Sequence, residues 1–140
     1  MTKINKKKLI KLAIEASNKS YSPYSKYRVG AALVCESGNI YTGCNIENAS
    51  YGATICAERA AVAKAVSSGE NTFVAIAIYG ATAKTDAQEV DYTFPCGICR
   101  QVLNEFSRAS LVVILARSHD DYIERTLGQL LPDSFSSANL

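Results

Sequence analysis

Apolar and polar positions recur along the chain with two different periods, which predicts helices and strands in turn. Residues 4–19 have the period of an amphipathic helix, because one face collects the apolar side chains Leu9, Leu12, Ala13 and Ala16. Residues 29–35 are apolar on both faces, which is typical of a strand covered on each side. A Ser-Gly-Asn turn follows at 37–39, so residues 40–44 are expected to return as a hairpin strand.

The rest of the chain continues this alternation. A second helix is predicted from near Ile55 to about Ser68, where Gly69 is a stop signal, and a third from just after Pro95 to about Ser107. The other predicted segments are a buried strand at 73–79, a polar loop at 81–93, a buried strand at 111–116, a short strand at 122–126 and an irregular tail at 130–140. This order favours an α/β fold, a three-layer α/β/α sandwich with a mixed central sheet of about five strands.

Composition places these elements in a single domain spanning residues 1–140. The chain is 48% hydrophobic and 20% charged, which excludes intrinsic disorder. Its net charge of +2 is too small to indicate a polyanion as partner. A nucleic-acid binder would combine a basic track with exposed aromatic residues for stacking; with a near-neutral charge, four Phe and no Trp, no nucleic-acid partner is expected.

The amino-terminal lysines do not introduce an export signal. The apolar stretch that follows them, residues 9–16, is interrupted by Lys11 and Glu15. No run approaches the ~18 apolar residues of a membrane-spanning helix, so no membrane partner is expected. We interpret the lysines as a solvated helix face. The predicted location is cytoplasmic, where cysteines stay reduced.

The cysteines carry the candidate chemistry. Five is an odd number, which does not suit a closed disulfide framework. Cys96 and Cys99 form a Cys-x-x-Cys pair that can place two sulfurs on one tetrahedral ion, and Cys56 can supply a third thiolate. The single histidine, His119, has no spacing relation to them. Three protein ligands leave one position of a zinc ion open, as in catalytic sites, so one Zn²⁺ is the expected cofactor.

The placement of these cysteines agrees with that interpretation. All three fall near the predicted starts of two helices, where free N–H groups and the helix dipole stabilise thiolates. Glu58 follows Cys56 by two residues, so it can stay close to the metal without ligating it. Cys-x-Glu followed by Pro-Cys-x-x-Cys is the cysteine form of the zinc nucleobase-deaminase signature. Glu58 is the predicted catalytic acid and base.

Two simpler interpretations compete with a catalytic zinc site. The Cys-x-x-Cys pair alone could be a redox pair, but that leaves Cys56 and Glu58 unexplained. A structural zinc site in an interaction module would need a fourth ligand, for which Cys44 is the candidate. We otherwise interpret Cys35 and Cys44 as small buried residues.

Five motifs together resemble the small, homotetrameric, zinc-dependent cytidine deaminases of pyrimidine salvage. The resemblance runs from about Tyr21 to the tail. The motifs are Ser22-Pro23-Tyr24-Ser25, Val29-Gly30-Ala31-Ala32, the stretch from Gly43 to Tyr51, Cys56-Ala57-Glu58-Arg59, and Pro95-Cys96-Gly97-Ile98-Cys99-Arg100-Gln101. The resemblance implies hydrolysis of cytidine and deoxycytidine to uridine and deoxyuridine plus ammonia. A deaminase of a cytosine nucleoside analogue such as blasticidin S is the alternative substrate class.

The resemblance also implies which residues bind the nucleoside. Asn45 and Glu47 match residues that hold the ribose hydroxyls, although without the resemblance both would be interpreted as turn residues. The other implied substrate-binding residues are Tyr27, Ala49, Tyr51, Ala57 and Phe135. In the family, the residue that matches Phe135 reaches a neighbouring subunit's site, and the segment matching 49–51 also crosses between subunits.

The chain departs from the family pattern at two positions, and one nearby residue is predicted to balance the charge of the thiolates. Tyr27 stands where relatives often have Phe against the pyrimidine, so its hydroxyl needs a partner of its own. Phe94 stands where relatives commonly have a small residue, which predicts a narrower or more apolar mouth. Three thiolates carry one more negative charge than Zn²⁺ balances, and Arg59 is the predicted residue that offsets it.

Overall fold

A computed structural model describes residues 2–82 and 90–140. Its regular elements, in chain order, are α1 (Lys6–Ser17), β1 (Tyr27–Cys35), β2 (Ile40–Cys44), α2 (Ala57–Ser67), β3 (Phe73–Thr82), α3 (Gly97–Phe106), β4 (Val112–Ala116), β5 (Tyr122–Thr126) and α4 (Leu127–Leu130). Single 3₁₀ turns lie at Tyr51–Ala53 and Ser137–Asn139.

The five strands form one mixed sheet in the order β2-β1-β3-β4-β5. Strands β3 and β4 run parallel, and α3 crosses between them, while every other neighbouring pair is antiparallel. The sheet has a buried cluster on each face, because successive side chains of the inner strands point to opposite sides. Leu33 on β1 faces α2 and α3, whereas its neighbours Ala32 and Val34 face α1. The predicted three-layer sandwich is confirmed.

Two glycines let helices pack directly on strand backbone. A Cβ at Gly43 on β2 would lie 2.5 Å from both the carbonyl oxygen of Ala57 and the amide nitrogen of Ala61 in α2. A Cβ at Gly30 on β1 would overlap the carbonyl oxygen of Ala13 in α1. The missing side chain at Gly43 therefore fixes the distance between the sheet and the first turn of α2, next to Cys56.

The predicted elements all exist, and their bounds differ at several ends. The second helix begins at Ala57 rather than near Ile55, because Ile55 pairs with Ile46 in an antiparallel bridge. β3 continues through Thr82 into the predicted loop at 81–93, of which residues 83–89 lie outside the described residues. The tail was predicted to be irregular, but the 3₁₀ turn at Ser137–Asn139 is capped by Ser136. Among the described residues, no helix has the length and apolar character needed to cross a membrane.

Candidate active site

The starts of α2 and α3 each place a cysteine at the N-cap position. Cys56 and Cys96 have extended backbones at their helix starts, and neither side chain forms a capping hydrogen bond. The bridge at Ile55 delivers the chain to Cys56 in extended form, while buried Pro95 precedes Cys96. Cys99 is the third residue of α3 and is buried. The predicted position of all three cysteines at helix starts is confirmed.

The three sulfurs lie close enough to bind one metal ion. The Sγ atoms of Cys56 and Cys96 are 3.8 Å apart, those of Cys96 and Cys99 are 3.5 Å apart, and all three lie within 4.8 Å of one another. Tetrahedral coordination with Zn–S bonds of about 2.3 Å places sulfurs about 3.8 Å apart, so the group fits zinc. Within residues 2–82 and 90–140 this ligand group has three members, and Cys44 is not one of them. Cys44 is half-buried on β2 rather than buried as predicted, whereas Cys35 is buried.

The surroundings favour negative charge on Cys56. Its pKa is lowered to about 5, chiefly because the Cys99 thiol donates a hydrogen bond to it, with further help from Arg59 and Cys96. The same hydrogen bond raises the pKa of Cys99, and burial adds to that shift. The positive ends of two helices lie at these sulfurs, which also stabilises thiolates.

Glu58 is buried beside the sulfur group. It is the second residue of α2 and is 4% exposed. Burial raises its pKa to about 7, and the charge on Cys56 adds to the shift. A carboxyl group with a pKa near neutrality can both accept and release a proton at physiological pH.

Arg59 turns back toward the sulfurs instead of extending from the helix into solvent. One Nη2 lies 3.7 Å from the Cys56 Sγ and donates to the carbonyl oxygen of Thr54 at 3.3 Å. Its Nε is buried and has no hydrogen-bond partner among the described residues. The guanidinium therefore faces the negative charge that three thiolates would carry.

Glu47 lies on the wall of a cavity of about 420 Å³, which is also lined by Tyr24, Ser25, Asn48, Tyr51 and Thr54. Its carboxylate accepts the backbone N–H groups of Tyr24 at 2.9 Å and Ser25 at 3.1 Å, and the Ser25 hydroxyl at 2.5 Å. The Ser25 hydroxyl is the main reason that the pKa of Glu47 is lowered. The site thus holds a fixed, ionised carboxylate.

The Asn45 side chain is buried against the start of β1. Its amide oxygen accepts the N–H of Val29 at 2.9 Å and the hydroxyl of Ser20, and its amide nitrogen donates to the carbonyl of Tyr27 at 2.8 Å. An amide group has two N–H donors, so one remains for a ligand. Asn45 is first of all a brace between β1 and the segment that carries Glu47.

The other predicted substrate-binding residues differ in accessibility. Tyr27 is half-buried at the start of β1, and Ala49 is exposed. Tyr51 is 76% exposed and stacks edge-on against Tyr24, with ring centroids 6.1 Å apart. Ala57 is fully buried, so its placement gives no support to a side-chain contact with substrate.

The tail is docked on α3, and the ring of Phe135 is displayed. The side-chain amides of Gln101 and Asn104 donate to the Phe135 carbonyl oxygen at 3.0 and 3.3 Å. The residue itself remains 60% exposed. The ring therefore does not cover the core of this chain.

Several residues that hold this site together were missed by sequence reasoning. Ser20 and Ser25 fix Asn45 and Glu47, Thr93 binds the Tyr27 hydroxyl, and two amides on α3 hold the tail. A signal existed for two of them, since Ser25 and Gln101 belong to the motifs that carry the family resemblance. Their partners are distant in sequence, so spacing alone could not reveal them.

Comparisons with known proteins agree with this geometry. The family model described as the cytidine and deoxycytidylate deaminase zinc-binding region matches residues 3–116. A cytidine deaminase from Sporosarcina psychrophila is 47% identical over 95% of this chain and 93% of its own length. Another from Halalkalibacterium halodurans is 42% identical over 98% of both chains. A crystal structure of cytidine deaminase from Burkholderia pseudomallei has a TM-score of 0.84 at 42% identity, covering 94% of this chain and 100% of that one.

The fold and the three-sulfur site are those of a zinc-binding deaminase domain. The chain belongs to the cytidine and deoxycytidylate deaminase family. The expected Zn²⁺ cofactor is supported by both the family match and the sulfur group.

Proposed function

We propose that this protein is a zinc-dependent cytidine deaminase of pyrimidine salvage. It hydrolyses cytidine and deoxycytidine to uridine and deoxyuridine, with release of ammonia. The observation that carries the proposal is the group of three sulfurs at two helix starts, with the buried carboxyl of Glu58 next to it. The cytoplasm is the proposed location, because reducing conditions keep the three thiols available for metal.

Cys56, Cys96 and Cys99 would hold Zn²⁺, and a bound zinc ion would lower the pKa of water enough for attack near neutral pH. Glu58 takes a proton from the attacking water as C4 of the pyrimidine is attacked. It gives that proton to ring N3, then takes the remaining proton of the oxygen now bound to C4 and passes it to the amino group, which leaves as ammonia while C4 becomes the carbonyl carbon. Its burial suits this role, because a raised pKa lets one carboxyl act first as base and then as acid. Arg59 offsets the negative charge of the thiolates.

The nucleoside is oriented by groups on β1 and on the segment that follows β2. The Glu47 carboxylate accepts a ribose hydroxyl, and the remaining Asn45 N–H donates to one. The half-buried Tyr27 supplies an aromatic surface for the pyrimidine. The exposed residues Ala49 and Tyr51 contribute to the same binding region.

Absorbance of cytidine tests the reaction directly. The purified protein is expected to lower the ultraviolet absorbance of cytidine, to lose this activity with a chelator, and to regain it with added Zn²⁺. Cys99→Ala is expected to lose zinc and activity, while the matched control Cys44→Ala keeps both. Stoichiometric zinc without turnover, lost in Cys44→Ala, would instead establish a structural zinc module. Turnover of blasticidin S but not of cytidine would assign the other substrate class.

We also propose that the active assembly is a homotetramer whose sites are completed between subunits. The support is the exposure of three large apolar residues. Tyr51 lines the cavity beside Glu47, Ile98 lies between the ligands Cys96 and Cys99, and Phe135 is hydrogen-bonded through its carbonyl to α3. Since the tail is hydrogen-bonded to α3, Phe135 is held outward, where it can stack on a pyrimidine bound by another copy. Such stacking contributes about 1–3 kcal/mol per base in nucleic-acid binders.

Complementation tests this assembly. Two inactive proteins are mixed, one carrying Glu58→Ala and one truncated before Phe135, and mixed tetramers are isolated by two affinity tags. Activity should return, because a Glu58→Ala chain lends its tail to the intact metal site of a truncated chain. Mixed tetramers that stay inactive would show that the tail acts within its own chain, and a monomeric mass by light scattering would exclude the assembly.

A further inference from the structure

The hydroxyl of Tyr27 has a partner that the sequence did not reveal. It forms a hydrogen bond with the hydroxyl of Thr93, 66 residues away in the chain. The Thr93 hydroxyl in turn donates to the carbonyl oxygen of Gly80 on β3 at 3.4 Å. Because the proton of Thr93 is used there, the Tyr27 hydroxyl is the donor of the pair. The hydrogen bonds therefore run from Tyr27 through Thr93 to the backbone of β3.

Gly80 makes room for this pair. A Cβ at position 80 would lie 2.5 Å from the Thr93 Oγ1 and 2.6 Å from the Tyr27 hydroxyl oxygen. Both hydroxyls thus occupy the space that a side chain at position 80 would fill. The tip of the Tyr27 ring is held at the sheet, so the ring cannot swing away about its Cα–Cβ bond without breaking this part-buried hydrogen bond.

Tyr27 also stands between the two halves of the candidate site. On one side its backbone N–H donates to the Ser25 hydroxyl at 3.0 Å, and this hydroxyl donates to the Glu47 carboxylate at 2.5 Å. On the other side Thr93 lies three residues before the metal ligand Cys96. Tyr27 thus connects Glu47, through its backbone and Ser25, to the segment that leads into α3, through its hydroxyl and Thr93.

The segment around Thr93 is anchored on both flanks. The Tyr92 hydroxyl donates to the Asp121 carboxylate at 2.6 Å, and the guanidinium of Arg117 lies 4.8 Å from the centre of the Tyr92 ring. Arg100 donates through Nε to the carbonyl oxygen of Pro95 at 2.7 Å. Thr93 is therefore held in place on both sides. Its hydrogen bond can fix the position of the Tyr27 ring, which would otherwise be free to swing about the Cα–Cβ bond.

We propose that Thr93 is a positioning residue for nucleoside binding, which acts by holding the Tyr27 ring at the position that receives the pyrimidine. The proposal rests on the proposed deaminase function. It assigns the Tyr27 hydroxyl to Thr93 rather than to the substrate, so Tyr27 presents its ring and not a polar group. Thr93 itself touches neither the substrate nor the metal.

The test is the pair Thr93→Val and Thr93→Ser, with steady-state kinetics on cytidine. Thr93→Val keeps the shape of the side chain and removes its hydroxyl. We expect KM to rise about 3- to 10-fold, the range for loss of one hydrogen bond, and kcat to change less than about twofold. Thr93→Ser keeps the hydroxyl and should restore KM. The matched control is Thr72→Val. Thr72 is exposed, and among the described residues its hydroxyl bonds only to the side chain of its neighbour Asn71. Zinc content should be equal in all four proteins.

A double-mutant cycle completes the test. If the hydroxyls act as one unit, Tyr27→Phe combined with Thr93→Val raises KM no more than the larger single change. Additive effects, or a lower melting temperature with unchanged KM in Thr93→Val, would overturn the proposal and leave Thr93 a stabilising residue only. If neither the unchanged protein nor Thr72→Val turns over cytidine, the proposed function fails and this inference fails with it.

Discussion

The site has a sulfur side, formed by the three cysteines and Glu58, and a predicted nucleoside side, which includes Glu47, Tyr51 and Phe135. The two sides differ in how far one chain buries and orders their residues. On the sulfur side, three ligands lie within 4.8 Å of one another and Glu58 is 4% exposed. On the nucleoside side, Glu47 is fixed by three hydrogen bonds, but the aromatic residues Tyr51 and Phe135 are 76% and 60% exposed. The groups of the sulfur side are brought together and buried by the fold of a single chain, whereas the aromatic residues predicted to contact a substrate are left exposed in it.

This contrast follows from the physical demands on each side. The pKa of Glu58 is raised to about 7 chiefly because burial removes solvent from the carboxyl group, and the interior of one domain provides that burial. An aromatic ring that stacks on a ligand must remain exposed to solvent until the ligand or another chain covers it. Variants of the sulfur side should therefore change kcat, and variants of the nucleoside side should change KM or depend on assembly.

The largest effect is expected on the sulfur side, at Glu58. Glu58→Gln keeps the size of the side chain and removes the proton carrier, so kcat should fall about 10²- to 10⁴-fold. Zinc content should not change, because Glu58 is not part of the ligand group. The measurement is kcat with cytidine alongside metal analysis of the same sample. Near-normal turnover with full zinc would show that another group moves the proton.

The next effect is expected at the exposed aromatic residue of the tail. Phe135→Ala should lower kcat/KM about 5- to 150-fold, corresponding to loss of one stacking contact. The melting temperature should change little, because the ring is 60% exposed. Leu140→Ala is the control, since Leu140 is 96% exposed on the same tail. Equal kinetics for the two variants would mean that the ring has no part in binding.

A smaller effect is expected where α3 holds the tail. Removing both amides in Gln101→Ala/Asn104→Ala frees the Phe135 carbonyl and should lower kcat/KM about 2- to 10-fold. The same pair of changes should add nothing to Phe135→Ala if the amides act only through this ring. Glu105→Ala, an exposed position on the same helix, serves as the control. An additive loss would assign the amides another role.

The smallest effect is a pH shift on the carboxylate side. The hydroxyl of Ser25 stabilises the charged form of Glu47 and lowers its pKa, so Ser25→Ala should raise that pKa. As pH falls toward 4–5, near the ordinary range of a glutamate, Glu47 would then be protonated earlier and KM for cytidine would rise at higher pH than in the unchanged protein. Glu47→Gln should remove this pH dependence. Superimposable KM–pH curves for Ser25→Ala and the unchanged protein would contradict the assignment.

Sequence reasoning reached furthest where the relevant contacts are local. The start of α3 after Pro95 could be predicted, because the proline lies next to the N-cap residue Cys96. Strand 40–44 was predicted at its observed bounds from the turn at 37–39 that precedes it. The start of α2 was placed two residues early, because the bridge from Ile55 to Ile46 is a tertiary contact without a local pattern.

The remainder depends on pairs that are distant in the chain. The side chain of Asn45 accepts hydrogen bonds from Ser20 and Val29 and donates one to Tyr27. The resemblance to the family did not indicate these contacts. The partner of the Tyr27 hydroxyl was predicted to be needed but could not be named, because 66 residues separate it from Thr93. The roles of the predicted nucleoside-binding residues stay predictions that the variants above test.

The contact at Gly43 has a consequence for engineering a more heat-resistant enzyme. Replacing glycine by alanine commonly stabilises proteins by about 0.4–1 kcal/mol, because the unfolded chain loses freedom. At Gly43 the added methyl group would meet two backbone atoms of α2 at 2.5 Å, and backbone cannot move aside as a flexible side chain can. Relief would require α2 to shift away from the sheet and carry Cys56 with it. A library of thermostabilising substitutions should therefore leave this position unchanged, since any gain in the unfolded state would be offset by displacement of a metal ligand.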